Sequence, residues 1–383
     1  RAATADALLN LLIAVSMFSA WMHLSTGARR WLYATHAAVG LGFLAKGPVA
    51  ILVPFAVTFL FCWLRRDLRT WARSTFDPRA LALFAVVALP WYIAIFMKEG
   101  SAFFYGFFVK HNVGRFGGPL QGHAGSLVYY VPVVLVGLLP FTALLVPLLG
   151  RLRALWKEDL PCFLLLWFAF VFVFFSLSGT KLPHYMLYGM SGIFVLLGVV
   201  ATGEMRGAAW LLFPAALAFV VLLALPWLVA LVLPHVHDTY YREAFSEVDR
   251  YFDRTYILVV VVALVMAIAL MLLRRLSIVT RLALVGLVYV LVLSSVLVPL
   301  AGTVVQEPIK QAALLCRQQG WQPVMWGLNA PSFSVYRGAP TPNREPRPGD
   351  VVLTKSKRIP ALEPRGVEVL YRKNGIVLLR VAS

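Results

Sequence analysis

Long, nearly uninterrupted apolar runs recur along this sequence, and they leave few folds open to it. Runs of about 17–25 residues are what a helix needs to cross a hydrocarbon layer about 30 Å thick. Inside that layer the backbone must satisfy its own hydrogen bonds, which restricts spanning segments of this length to α-helices. Of the residues, 60% are hydrophobic and 14% charged, against roughly 45–50% and about 25% in an average soluble domain. A water-soluble core could not hide that excess. The pattern predicts an all-α polytopic membrane protein. Its spans, roughly ten by the length criterion, fall at 7–24, 31–46, 48–64, 80–97, 126–149, 160–177, 185–202, 208–233, 256–273 and 282–303.

The formal charge of +18 would suggest a nucleic-acid partner in a soluble domain. Here most of the basic residues sit in short loops between apolar runs, where they orient helices and meet anionic headgroups. Membrane lipids are therefore the expected partners, and nucleic acid is not. Alternation sorts the loops into two sets. One holds Arg29, Arg30, Arg65, Arg66, Arg69, Arg73, Arg79, Arg151, Arg153, Lys157, Arg206, Arg274, Arg275 and Arg281; the positive-inside rule makes it cytoplasmic. The other comprises 1–6, the turn Lys46-Gly47-Pro48, the loops 98–125, 178–184 and 234–255, and the tail. This set faces outward, into the periplasm of a bacterium. Cys62 and Cys162 lie in apolar runs and Cys316 stands alone, so no disulfide or metal spacing is present. The chain opens at Arg1 without Met or a signal-peptide pattern, and the natural amino terminus is expected upstream.

From about residue 304 the composition becomes that of a soluble segment. A helix over 308–319 and strands at 322–327, 351–354, 367–371 and 376–381 are predicted, the last two joined at Lys373-Asn374-Gly375. The expected organisation is a membrane region over 1–303 and a small periplasmic α/β domain over 304–383.

The informative polar residues gather on the outward set. They are Asp6; Lys46; Lys110, His111, Asn112 and Arg115; His123 and Tyr129; and Lys181, His184 and Tyr185. Glycosyl transfer from a polyprenyl phosphate suits this arrangement. Charge builds on the leaving phosphate as the glycosidic bond breaks, and fixed Lys and Arg groups stabilise it. A carboxylate must take the acceptor's proton, and Asp6 is the only acid in a motif-like position near the outer surface. Each residue also has a plainer reading. Lys46 could snorkel from a helix end, Lys110 and Arg115 could meet headgroups, Asp6 could cap a helix, and Tyr129 could belong to the interfacial aromatic belt. His235, His237 and Asp238 read best as a solvated loop.

Three motifs carry a resemblance. They are Gly42-Phe43-Leu44-Ala45-Lys46-Gly47-Pro48; Lys110-His111-Asn112-Val113-Gly114-Arg115-Phe116 with His123 and Tyr129-Tyr130; and Phe174-Phe175-Ser176-Leu177-Ser178-Gly179-Thr180-Lys181-Leu182-Pro183-His184-Tyr185. In this order the chain resembles the bacterial protein-mannosyltransferase-like superfamily of GT-C membrane glycosyltransferases, nearest the aminoarabinose–lipid A transferase branch. The resemblance implies a polyprenyl-phosphate-linked sugar donor, a lipid, glycan or protein acceptor, and inverting transfer on the periplasmic face of the inner membrane. It implies that Arg115 holds the lipid phosphate and that Lys46 and Lys181 line the same cavity. Lys110, His111, Asn112, His123, Tyr129, His184 and Tyr185 would complete the substrate cavity, and Asp6 matches an acid on the family's second outer segment. The family's principal catalytic aspartate lies upstream of this stretch, which is expected to be inactive alone. Some relatives hold a divalent metal near the site, but the loop histidine is displaced here, so no cofactor is assigned. The alternative is a polyprenyl-phosphate transporter. It would need ionisable groups at mid-membrane, and the spans carry almost none away from their ends.

Overall fold

The computed structural model describes residues 5–107, 125–203, 208–246 and 251–382. It divides into two compact units, one ending at Leu211 and one beginning at Leu212.

The first unit is helical throughout. Helices α1 (Ala5–Thr26), α2 (Arg29–Lys46) and α3 (Val49–Leu64) pack together, and α2 also packs on α5 (Pro78–Glu99). A short polar helix, α4 (Leu68–Thr75), lies between α3 and α5 in sequence. Asp67 caps α4 by accepting from the Thr70 amide, and Asp77 caps α5 by accepting from the Arg79 and Ala80 amides. Both aspartates satisfy amides that a helix start leaves without partners. After one helical turn at Ser101–Phe104, the next described helices are α6 (Tyr130–Gly137), α7 (Leu145–Leu155), α8 (Asp159–Leu177) and α9 (Leu187–Ala201).

The expected single span over 126–149 is not straight. Tyr130–Gly137 and Thr142–Leu155 meet at 114°. Pro140 lies in the break; it offers no amide to the helix and pushes Leu139 out of helical geometry. Every expected span is helical, yet among the described residues seven helices are long and apolar enough to cross a membrane, or eight if the bent pair is one span. The expected ten is not reached on that measure, because α3 is a shorter apolar helix and α2 carries Arg29, Arg30, His36 and Lys46. Large apolar side chains such as Val86, Met97 and Leu177 are exposed, as lipid-facing residues of spanning helices are.

The second unit contains α10 (Phe213–Val232), α11 (Thr239–Ser246), α12 (Arg254–Leu272), α13 (Ile278–Val292) and α14 (Val298–Val305), with a π turn at Leu293–Leu297 between the last two. Tyr256 donates to the Leu222 carbonyl (2.6 Å), tying α12 to α10. Then follow α15 (Glu307–Gln318), β1 (Val324–Met325), α16 (Pro331–Arg337), β2 (Val351–Lys355), β3 (Val367–Lys373) and β4 (Ile376–Val381). The sheet order is β1-β2-β4-β3, with β1 parallel to β2 and the other pairs antiparallel. The predicted strands and hairpin are all present, whereas α16 was not expected. Phe333 of α16 is buried with Ile309, Leu353 and Leu378. The 234–246 segment packs on this sheet through the ion pairs Asp238–Lys357 (2.6 Å) and Glu243–Arg372 (2.5 Å). The loop and tail assigned to one face are thus in contact.

Candidate active site where alpha 1, alpha 2 and alpha 9 meet

Lys46 is the last residue of α2, and the chain reverses immediately after it. Gly47 takes φ +88°, and its amide returns to the Phe43 carbonyl (2.8 Å). A side chain at this left-handed position would be strained, so glycine is required there. Pro48 then opens α3 with its φ preset near the helical value. Close packing below the turn needs Gly42, where a Cβ would come within 2.9 Å of the Ala50 Cβ. These choices fix Lys46 between two helices with almost no loop, at the helix end where a cation is favoured.

Asp6 lies in the first turn of α1, directly opposite. The Lys46 ammonium donates to Asp6 Oδ1 and also to the Tyr188 hydroxyl at 3.2 Å. The Tyr188 hydroxyl donates to the same Oδ1 at 2.5 Å, and His184 Nε2 stands 3.7 Å from it. Lys46 also faces the rings of Tyr185 (5.5 Å to the centroid) and Tyr188 (5.9 Å), within cation–π range. The pair is partly sheltered, with side-chain exposures of 27% for Lys46 and 20% for Asp6. That leaves room for a ligand while limiting screening by water.

The Tyr188 position is built from behind. Trp167, fully buried in α8, donates its indole N–H to the Tyr188 carbonyl (2.7 Å). Phe175 packs on Tyr185 with ring centroids 4.7 Å apart. Tyr188 was not singled out in the sequence. It lies three residues beyond Tyr185 and four beyond His184, a spacing that puts all three on neighbouring helical positions, and that signal was available.

Lys181 is buried, and its ammonium is turned inward. It donates to the Ser176 (2.7 Å) and Ser178 (2.9 Å) carbonyls, closing the C-terminal end of α8. Such carbonyls lack helical partners and form the negative end of the helix dipole. Tyr130 holds the next residue, accepting from the Leu182 amide and donating to the Leu182 carbonyl, each at 3.1 Å. Tyr129 is half-buried, edge-on to Tyr130 at 5.0 Å. Asp6, Lys46, His184 and Tyr185 are therefore brought together, with Lys181 three residues away along the chain. Lys110, His111, Asn112, Arg115 and His123 lie outside the described residues. Among the described residues, no group of three or more His, Cys, Asp or Glu side chains is arranged as a metal site.

The opposite end of the first unit gathers the arginine-rich loops. Arg65 pairs with Asp159 (2.8 Å) and donates to the Trp156 and Lys157 carbonyls, and Arg151 reaches the Val200 carbonyl (3.5 Å). His23 Nε2 lies 3.0 Å from the Ser74 hydroxyl, and His36 Nε2 3.4 Å from the Thr75 carbonyl. Within the first unit, Asp6 and Lys46 thus lie at one end and the described arginine-rich loops at the other.

Residues 1–103 match the family model described as dolichyl-phosphate-mannose-protein mannosyltransferase. The undecaprenyl phosphate-alpha-4-amino-4-deoxy-L-arabinose arabinosyl transferase of Erwinia tasmaniensis is 31% identical over 266 residues, 64% of this chain and 46% of that protein. Its namesake from Photorhabdus laumondii is 30% identical over 201 residues, 50% of this chain and 35% of that protein. This chain therefore spans less than half the length of these curated relatives. The crystal structure of ArnT from Cupriavidus metallidurans in the apo state superposes with a TM-score of 0.79 at 20% identity, covering 98% of this chain and 74% of that one. The same protein bound to undecaprenyl phosphate gives 0.76. The fold is that of ArnT.

Proposed function

We propose that this chain, an ArnT-like protein of the protein-mannosyltransferase-like GT-C superfamily, serves inverting transfer of a sugar from a polyprenyl phosphate to a cell-envelope acceptor. The names of its relatives favour 4-amino-4-deoxy-L-arabinose on undecaprenyl phosphate as the donor, and the family resemblance favours a lipid A-like acceptor. The active end faces the periplasm, and residues 304–383 form a periplasmic domain attached to the membrane region.

The reading rests on one observation: Lys46, Asp6, Tyr188 and His184 converge from three helices at the end of the bundle opposite the arginine-rich loops. In the reaction an acceptor hydroxyl oxygen attacks the anomeric carbon. The bond from that carbon to the phosphate oxygen breaks, and polyprenyl phosphate leaves with the electron pair. Lys46, held by Asp6 and Tyr188, presents a positive charge to the phosphate as its negative charge grows. Arg115, which lies outside the described residues, is by the family resemblance the bidentate partner of the phosphate. Asp6 Oδ1 carries the contacts to Lys46 and Tyr188, so the second carboxylate oxygen is the one to receive or orient the acceptor proton. Lys181 holds the turn that carries His184, through its bonds to the Ser176 and Ser178 carbonyls.

The test uses the full-length protein in lipid, with undecaprenyl phosphate-linked aminoarabinose as donor and lipid A as acceptor, read by mass spectrometry. Transfer by the wild type and its loss in Lys46→Met support the reading. A folded Lys46→Met that transfers at the wild-type rate overturns it.

A further inference from the structure

The second unit carries a feature that transfer does not explain. Its sheet domain is entered at Gln306, the single residue between α14 and α15, and the β3–β4 turn returns to that same place. Asn374 is buried, and its side-chain amide donates to the Val304 carbonyl (3.2 Å) in the last turn of α14. Four residues beyond Val304 stands Pro308, which has no amide to offer that carbonyl, so Asn374 supplies the donor instead. Asn374 and Gly375 take φ of +45° and +76°, the left-handed geometry for which Asn-Gly is the preferred hairpin pair. The tip of a free hairpin would stand in water; this one is seated on a helix end.

Tyr240 of α11 closes on the tip from another side. A Cβ at Gly375 would come within 2.7 Å of the Tyr240 carbonyl oxygen and 2.6 Å of its ring, so glycine alone fits there. The Lys355 ammonium stands 4.4 Å from the centre of the same ring, within cation–π range. Glu243 and Ala244 share Tyr240's side of the helix, three and four residues on; Ala244 is buried and Glu243 pairs with Arg372. Helix α11 has only eight residues, too few to be stable alone in water. Its packing therefore holds it helical. The ion pairs cannot supply much of that: Lys357 and Arg372 are 42% and 51% exposed, and exposed pairs contribute little and are screened by salt.

We propose that Asn374, Gly375 and Tyr240 form a clasp that holds the sheet domain on α11 and on the end of α14, and that α11 is helical only while the clasp is closed. Helix α11 is thus a strap between the spans α10 and α12. Opening the clasp turns it into flexible chain and frees the domain to move about its entry at Gln306. The clasp is independent of the transfer site and would stand if that reading failed.

The test is hydrogen–deuterium exchange of the full-length protein in lipid, read by mass spectrometry on peptides covering α11, β2 and β4. Tyr240→Ala removes the ring while raising helix propensity at that position, so faster exchange in α11 reports lost docking. We expect α11 to exchange at least about 20-fold faster in this variant, as the loss of a half-buried aromatic side chain requires. Asn374→Asp keeps a left-handed turn, which Asp tolerates, but sets a carboxylate against the Val304 carbonyl. It should speed α11 exchange by at least about tenfold. In both variants β2 and β4 should stay protected. Asp238→Asn/Glu243→Gln, or about 1 M NaCl on the wild type, should change α11 by no more than about fivefold. Wild-type exchange of α11 in Tyr240→Ala would overturn the proposal. So would strands that lose protection together with α11 in both variants, or a loss in salt as large as that in Tyr240→Ala.

Discussion

Lys46 ends α2 with its ammonium on the carboxylate of Asp6, 40 residues earlier in the chain, and the Tyr188 hydroxyl bonds to both. A mere snorkelling lysine would extend toward headgroups, and a mere cap would turn its oxygens to its own helix's amides. Here each side chain is held by the other, so the charge on Lys46 has a fixed position before any substrate arrives. Preorganised charge of this kind stabilises a developing phosphate without further reorganisation.

Lys46→Met should lower kcat for lipid-linked sugar transfer by about 10²–10³, the usual cost of removing one donor to developing charge. Asp6→Asn should also fall by about 10² or more, since it removes a proton acceptor and unpins the ammonium. Because the two act as one unit, the double variant should be little worse than the worse single one. Losses that multiply in the double variant would show that the pair is not a functional unit. The measurement is single-turnover transfer by the full-length protein.

Tyr188→Phe should be milder. It deletes the hydroxyl that donates to Asp6 and accepts from Lys46, while Lys46 remains on Asp6. A loss of about tenfold or somewhat more in kcat is expected, with unchanged expression and melting, because the Trp167 contact is to the Tyr188 backbone. A Tyr188→Phe protein as damaged as Lys46→Met would mean that Tyr188 contacts substrate directly.

Much of this molecule could be read from local pattern, because its physics is local. Run length identified the helical spans, arginine placement separated the two ends, and Lys46-Gly47-Pro48 announced its own turn. The tail's strands followed from alternation and the Asn374-Gly375 turn. What escaped depends on reach across the fold. Nothing near Lys181 in the sequence says that its ammonium turns back to the Ser176 and Ser178 carbonyls, since a Lys at a loop is equally able to face a ligand. Tyr188 stood inside an apolar run and read as one more aromatic until Lys46 and Asp6 were beside it. The break around Pro140 was hidden because other prolines, such as Pro90 and Pro226, sit inside continuous helices. Helix α16 is a single polar-flanked element whose helicity owes more to burying Phe333 than to its own propensity.

Lys181→Met should separate support from chemistry. It leaves two buried carbonyls without their donor, at about 1–3 kcal/mol for each group left unpaired. Melting of the full-length protein should therefore fall clearly, with transfer reduced as the 178–184 turn loosens. Lys46→Met should show the reverse balance, a large loss of transfer with a small change in melting. Fluorescence-detected melting beside turnover for both variants gives the comparison. Equal melting of the two proteins would show that the Lys181 contacts add nothing to stability.

Asp350 gives the tail a separable part of its acid response. Arg344 grips Asp350 with both terminal nitrogens (2.7 and 3.0 Å), and the Arg347 amide adds a third bond at 2.7 Å. The Arg344 hydrogen bonds hold the Asp350 carboxyl below its ordinary value of 3.8, against the smaller opposing effect of partial burial. A carboxyl lowered on folding binds its proton less readily in the native chain than in the unfolded one. Its stabilisation is therefore complete above the ordinary value and is lost as pH falls through the lowered one. Wild-type protein should lose melting temperature on going from pH 5 toward pH 2 more steeply than Asp350→Asn, which has no proton to gain there. The difference between the two melting curves should be greatest at pH 5 and close toward acid. Parallel curves over that range would mean that the Arg344–Asp350 contact is not held in solution.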